Sequence, residues 1–118
     1  MLARLLALGL CAVGAGALFA PASSSRGYGL PSSDPAALAL IRAMGVRDVV
    51  LGLIVGSLSN ARSRDVLAGS IAATALVAAG DFSIVSQSET PEARTALKVH
   101  GGGIAGLLLL WAIVRAGR

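Results

Sequence analysis

Arg47, Asp48, Asp81 and His100 are the side chains of this 118-residue chain best suited to moving a proton. Carboxylic acids and an imidazole trade protons when their surroundings push their pKa values apart, and a guanidinium beside them can hold a developing anion. In such a scheme Asp48 or Asp81 is the acid, His100 the base and Arg47 the anion stabiliser. One histidine and one cysteine, Cys11, give no ligand set of transition-metal spacing, so neither a metal nor another cofactor is expected. No complete catalytic or nucleotide motif surrounds these residues. Any chemistry depends on the fold bringing them together.

The elements that must do so are strongly apolar. Hydrophobic residues make up 55% of the chain, charged ones 14% and aromatic ones 3%, with a mean hydropathy of +0.78. A soluble domain of this size needs more polar surface. A bilayer-spanning helix takes roughly 20 mostly apolar residues, and 2–20, 66–85 and 99–114 approach or meet that length. The stretch 46–58 is shorter, and extending it back through 36–45 carries Arg42, Arg47 and Asp48 into or beside the membrane. The expected fold is all-α: one integral membrane domain over 1–118, a four-helix transmembrane bundle with spans near 2–20, 36–58, 66–85 and 96–115. The second helix either runs unbroken from Pro35 to Leu58, loosened at Gly45, or is preceded by an interfacial segment.

Local signals punctuate these spans. Pro21 ends the first helix, and the glycines and prolines of 23–35 read as a loop. Asp34 before Pro35 is an N-cap followed by proline at the first helical position. Ser59–Asp65 reads as a tight polar turn and Ser86–Thr95 as a second polar loop. The N-terminus also has the outline of a signal peptide cut after Ala20-Pro21-Ala22, although its apolar run exceeds an ordinary signal core. Leu10 stands where a lipoprotein would need a small residue before its cysteine.

If all four segments span, Arg47, Asp48, Asp81 and His100 gather toward one end of the bundle. Ionisable groups at membrane depth are costly unless paired or hydrated, and they mark functional sites by default. Arg47 and Asp48 are neighbours pointing to different helix faces, whereas Arg47 with Asp81 is a natural pair between helices. Lys98 reads as a snorkelling residue, and Trp111 and Tyr28 as interfacial aromatics. Gly52-x-x-x-Gly56 and Gly102-x-x-x-Gly106 are faces for close helix packing within the bundle or in a homo-oligomer.

The formal charge of +4 comes from scattered cations with no interleaved aromatics, which argues against nucleic acid as a partner. The expected partner is the lipid bilayer, and the expected location a multi-pass position in a membrane, the cytoplasmic one in a bacterium. Arg4, Arg62, Arg64, Arg115 and Arg118 fall on one side, and Arg26, Arg42, Arg47, Arg94 and Lys98 on the other. With Arg47 drawn into the bundle, both termini are expected in the cytoplasm.

The loop Gly29-Leu30-Pro31, the segment Gly45-Val46-Arg47-Asp48 with Leu51-Gly52, Asp81 and the His100-Gly101 pair resemble a family of small four-span membrane proteins catalogued as a domain of unknown function. The resemblance covers nearly the whole chain and implies a fold, with no activity attached. Two functional readings follow from the residues themselves. In the first, the protein is a non-catalytic membrane protein whose polar cluster holds the bundle together. In the second, it is a membrane-embedded enzyme using acid–base chemistry, such as isomerisation, cyclisation or epoxide opening, on a lipophilic small molecule. A transporter would need oligomerisation to enclose a path.

Overall fold

Proline and capping residues set where the helices begin. In the computed structural model, which describes residues 1–60 and 63–117, the elements are α1 (Leu2–Phe19), α2 (Pro21–Tyr28), α3 (Pro35–Leu58), α4 (Arg64–Val85) and α5 (Pro91–Ala116). Pro21, Pro35 and Pro91 each occupy a first helical position, where the missing N–H is no loss. The side chains of Asp34, Ser63 and Thr90 accept hydrogen bonds from the backbone N–H groups of Ala37, Val66 and Ala93, capping α3, α4 and α5.

The long helices form two antiparallel pairs. In the first, α1 lies against α3 with small residues at the seam. A Cβ on Gly45 would stand 2.6 Å from the Gly14 carbonyl oxygen, and one on Gly52 would stand 2.6 Å from Cys11 Sγ. Close backbone approach of this kind is how helices gain packing energy in lipid, where the hydrophobic effect between them is absent. The face Gly52-x-x-x-Gly56 is thus spent inside the bundle, and α1 is a structural part of it. In the second pair, Ile71 and Ala75 of α4 bury against Leu107 of α5.

The pairs are joined at the end that carries α2. Gly29 ends α2 in the left-handed conformation, with φ 96°. It sits so close to α5 that a Cβ would lie 2.7 Å from that of Ala96. Only glycine meets both demands. Ser25, fully buried, donates to the Ala22 carbonyl and accepts from the Ser32 N–H, which fixes the turn from α2 toward α3.

The outward faces are apolar. Leu8, Leu76, Val99 and Leu109 are all exposed, and almost none of the most apolar stretch of α5 is covered by the rest of the chain. By length and composition α1, α4 and α5 can each cross a membrane. The third long helix, α3, has 24 residues, about 36 Å at 1.5 Å per residue. It carries three charged residues in its central part, Arg42, Arg47 and Asp48, which set it apart from the other three.

Three expectations need correction. The described chain has five helices, because 21–28 forms α2 where a loop was expected; Pro21 breaks α1 but its fixed φ suits the first turn of a new helix. Residues 91–95 begin α5 and do not belong to the preceding loop, since the Thr90 cap and Pro91 start the helix there. Arg64 and Asp65 likewise begin α4 behind the Ser63 cap and do not belong to the Ser59–Asp65 turn. Of the two courses expected for the second span, α3 takes the unbroken one from Pro35 to Leu58. Of the residues used in the charge comparison, Arg62 and Arg118 lie outside the described residues, as does Ala61 in the Ser59–Asp65 turn.

Candidate functional site

The centre of α3 faces α4 about one turn from the α4 C-terminus. There Arg47 donates from Nη1 to Asp81 Oδ1 at 3.0 Å and from Nη2 to Asp81 Oδ2 at 2.8 Å. This two-pronged geometry is what the planar guanidinium and a carboxylate do best. The Nε of the same guanidinium donates to Asp48 Oδ1 at 2.9 Å. Neighbours on a helix do not face each other, yet the long arginine stem reaches across to α4 and leaves Nε beside Asp48. One cation thus serves two carboxylates, and both oxygens of Asp81 are occupied.

The other half of the site comes from α2 and α5. His100 lies across from Tyr28, their rings edge to face with centroids 5.0 Å apart and planes at 74°. His100 Nε2 is 3.4 Å from the Tyr28 carbonyl oxygen. With Nε2 donating to that carbonyl, Nδ1 remains an acceptor. The Tyr28 hydroxyl is buried and has no hydrogen-bond partner within ordinary geometry. Burial, followed by the nearby Asp81 carboxylate, raises its pKa above the usual phenol value.

A cavity of about 370 Å³ opens beside these groups, between α1, α2, α3 and α5. Asp48, Tyr28 and His100 lie on its polar side, and Val13, Ile41 and Val99 are among its apolar lining. The arrangement has two layers. Arg47 and Asp81 tie α3 to α4, and neither lines the cavity. Asp48 touches both layers: Oδ1 receives Arg47, while Oδ2 has no hydrogen bond among the described residues. The cavity therefore presents an open acceptor, Asp48 Oδ2, and the side chains of His100, Tyr28 and Ser24 on a mostly apolar wall.

Sequence reasoning singled out Arg47, Asp48, Asp81 and His100, and the fold gathers all four at one level of the bundle. It missed Tyr28, read as an interfacial aromatic; the signal available was its place as the sole tyrosine, immediately before Gly29. Trp111 sits toward the opposite end, with the Arg115 guanidinium 6.0 Å from its ring centre. That end also holds the exposed Arg115–Asp65 pair and the bond from Arg4 to Asn60, a polar rim. Gly102 and Gly106 have no atom near enough to meet a Cβ. Among the described residues, no three His, Cys, Asp or Glu side chains are grouped to hold a metal ion.

Residues 7–115 match the family model described as Domain of unknown function (DUF4267), and the chain belongs to that family. No curated protein and no solved structure matches it significantly.

Proposed function

We propose that this member of the DUF4267 family is a four-span, multi-pass membrane protein that binds a lipophilic small molecule in the cavity between α1, α2, α3 and α5. Arg47 is the clamp that keeps the two helix pairs together around it. The observation that carries this reading is the cavity itself: an apolar chamber in an apolar bundle, with Asp48, Tyr28 and His100 converging on it from three different helices. Ligand sites are commonly apolar hollows with a few convergent polar groups, often between the helices of a bundle. Counting α3 as the fourth span rests on its length and on Arg47, whose charge is met by two carboxylates. In a bacterium the location is the cytoplasmic membrane, with both termini on the cytoplasmic side.

Occlusion tests this directly. Gly16 lines the cavity, and its nearest neighbour to an added Cβ is Ser24 Oγ at 3.7 Å, so Gly16→Leu fills the hollow without striking backbone. Gly9, on the same helix, has nothing within 4 Å, and Gly9→Leu is the matched control. Wild type and Gly9→Leu purified from membranes should retain a lipophilic molecule detectable by native mass spectrometry, and Gly16→Leu should lose it. Equal retention by all three, or none in wild type, would remove the proposal.

A second reading adds chemistry to binding, and the open Oδ2 of Asp48 in a cavity that His100 also lines favours it. Two proton-transfer groups on one wall suit isomerisation, cyclisation or epoxide opening. Asp48 and His100 then act on the ligand, while Arg47 and Asp81, already bonded to each other, hold Asp48 in place. Asp48→Asn should change the lipophilic products extracted from expressing cells; an unchanged product profile would leave binding alone.

A further inference from the structure

A second hollow lies farther along α5. Although α1 and α5 both border the cavity, they make no extensive contact with each other, and toward the opposite end of the bundle the gap between them holds a groove of about 320 Å³ that shares no lining residue with the cavity. Leu2 and Leu6 line it from α1, and Gly103, Gly106, Leu110 and Ile113 from α5. On α5 only three residues, about 4.5 Å of rise, separate His100 from Gly103. From Val99 to Ile113 the seam runs about 20 Å along α5, longer than one leaflet of a hydrocarbon core roughly 30 Å thick. Gly103 and Gly106 give the groove its depth, since neither has any atom within 4 Å of where a Cβ would sit.

We infer that the molecule bound in the proposed cavity is a single-chain amphiphile with a hydrogen-bond-donating head, a long-chain alcohol or amine, lying with its head at Asp48 and His100 and its chain along the α1/α5 seam. The inference rests on the binding reading above and adds to it the chemical class and the pose. Shape supplies the single chain, because the groove follows one face of α5, from Gly103 to Ile113. The head follows from the charge. Asp48 Oδ2 accepts, and Arg47, Asp48 and Asp81 together carry one more negative than positive charge. A carboxylate head would face an acceptor and like charge; a hydroxyl or ammonium would donate to it. A chain leaving lipid for an apolar seam gains little from the hydrophobic effect. Selectivity must therefore lie in the head.

Trp111, the sole tryptophan, lies outside the groove lining but on the same turn of α5 as Leu110 and Ile113, so a spin label held at the far end of the groove lies at its depth. The test uses the full-length protein in phosphatidylcholine nanodiscs and spin-labelled eighteen-carbon chains bearing an alcohol, amine or carboxylate head, with the label near the head or near the tail. Tail-labelled alcohol and amine should quench Trp111 saturably and more strongly than their head-labelled counterparts. Gly103→Leu and Gly106→Leu should weaken the saturable component about tenfold or more, since the new side chain occupies the ligand's volume. Gly102→Leu, an exposed position outside the groove with nothing within 4 Å, should leave it intact. If Gly16→Leu abolishes saturable quenching while Gly103→Leu and Gly106→Leu do not, the cavity stands and the seam is refuted. If Gly16→Leu has no effect, the cavity and the seam fail together. A carboxylate that binds as well as the alcohol overturns the head assignment.

Discussion

Replacing Arg47 with methionine removes the cation but keeps much of the stem. Two carboxylates then lose their counter-charge: Asp81, with a side chain 12% exposed, and Asp48, at 17%. Breaking a buried ion pair by deleting one partner costs about 3–5 kcal/mol, because the orphaned charge stays behind. The Arg47 side chain is 32% exposed, which places the loss at the low end, about 3 kcal/mol. For a chain of this length that is a drop on the order of 10 °C in Tm. The assay is thermal denaturation in detergent combined with hydrogen exchange. Protection should fall around Asp81 near the α4 C-terminus, while the Gly45–Gly52 stretch of α3, held by α1, keeps its protection. Removing one of the two orphaned carboxylates with the double replacement Arg47→Met and Asp81→Leu should recover about half of the loss, since Asp48 still lacks its counter-charge. A methionine variant as stable as wild type would refute the clamp, and so would uniform loss of protection along α3.

Three further outcomes follow from the packing and the charges. Gly45→Val should destabilise by about 1–3 kcal/mol or more, because its Cβ meets the Gly14 carbonyl oxygen and the Ala17 side chain; Gly102→Val should not, and detergent melting curves compare them. Tyr28 should remain a phenol in the folded protein above about pH 10, where an ordinary tyrosine ionises. The native state then holds a proton that the unfolded chain has lost, so the Tyr28 contribution to stability is complete below about pH 10 and erodes as pH rises beyond it. With only one tyrosine, phenolate absorbance reads this directly, and normal titration of the folded protein would contradict it. After Cys11→Ala, single cysteines at Ser24 and Ser88 should label from one side of intact membranes and those at Ser63 and Gly117 from the other; labelling of all four from one side would end the four-span proposal.

How much of this could be read in advance depends on range. The caps at Asp34 and the glycine seam of Gly45 and Gly52 were legible, because a cap is local and a small-residue face has a fixed helical spacing. The helical state of 21–28 was not, since Pro21 carries opposite meanings for the helix it ends and the helix it begins. Tyr28 was hidden for a longer-range reason. Its place beside His100 depends on Gly29 fitting against Ala96, a contact between residues far apart in the chain. The bond from Arg47 to its own neighbour Asp48 was also missed: helix periodicity describes where Cβ atoms point, whereas a long arginine places its Nε well away from that direction.

The position of the polar residues follows from how the helices pack. Small residues pull α1 against α3 and let α4 lie on α5, while the two pairs meet over less surface, through Leu6 and Leu67 and through Gly29 against Ala96. In lipid, polar contacts or a ligand add to that packing. Arg47 supplies the first between α3 and α4. Across the bundle, α1 and α5 remain apart, and the cavity and its groove lie in that gap. An ion pair in such a place is weak evidence for stability alone, since apolar side chains could substitute for it. What apolar side chains could not do is leave Asp48 held at one oxygen and open at the other beside His100. The clamp accordingly has a functional consequence that stability measurements miss: Arg47→Met with Asp81→Leu should recover part of the melting temperature without recovering ligand retention, because Asp48 no longer has the donor that fixes its orientation.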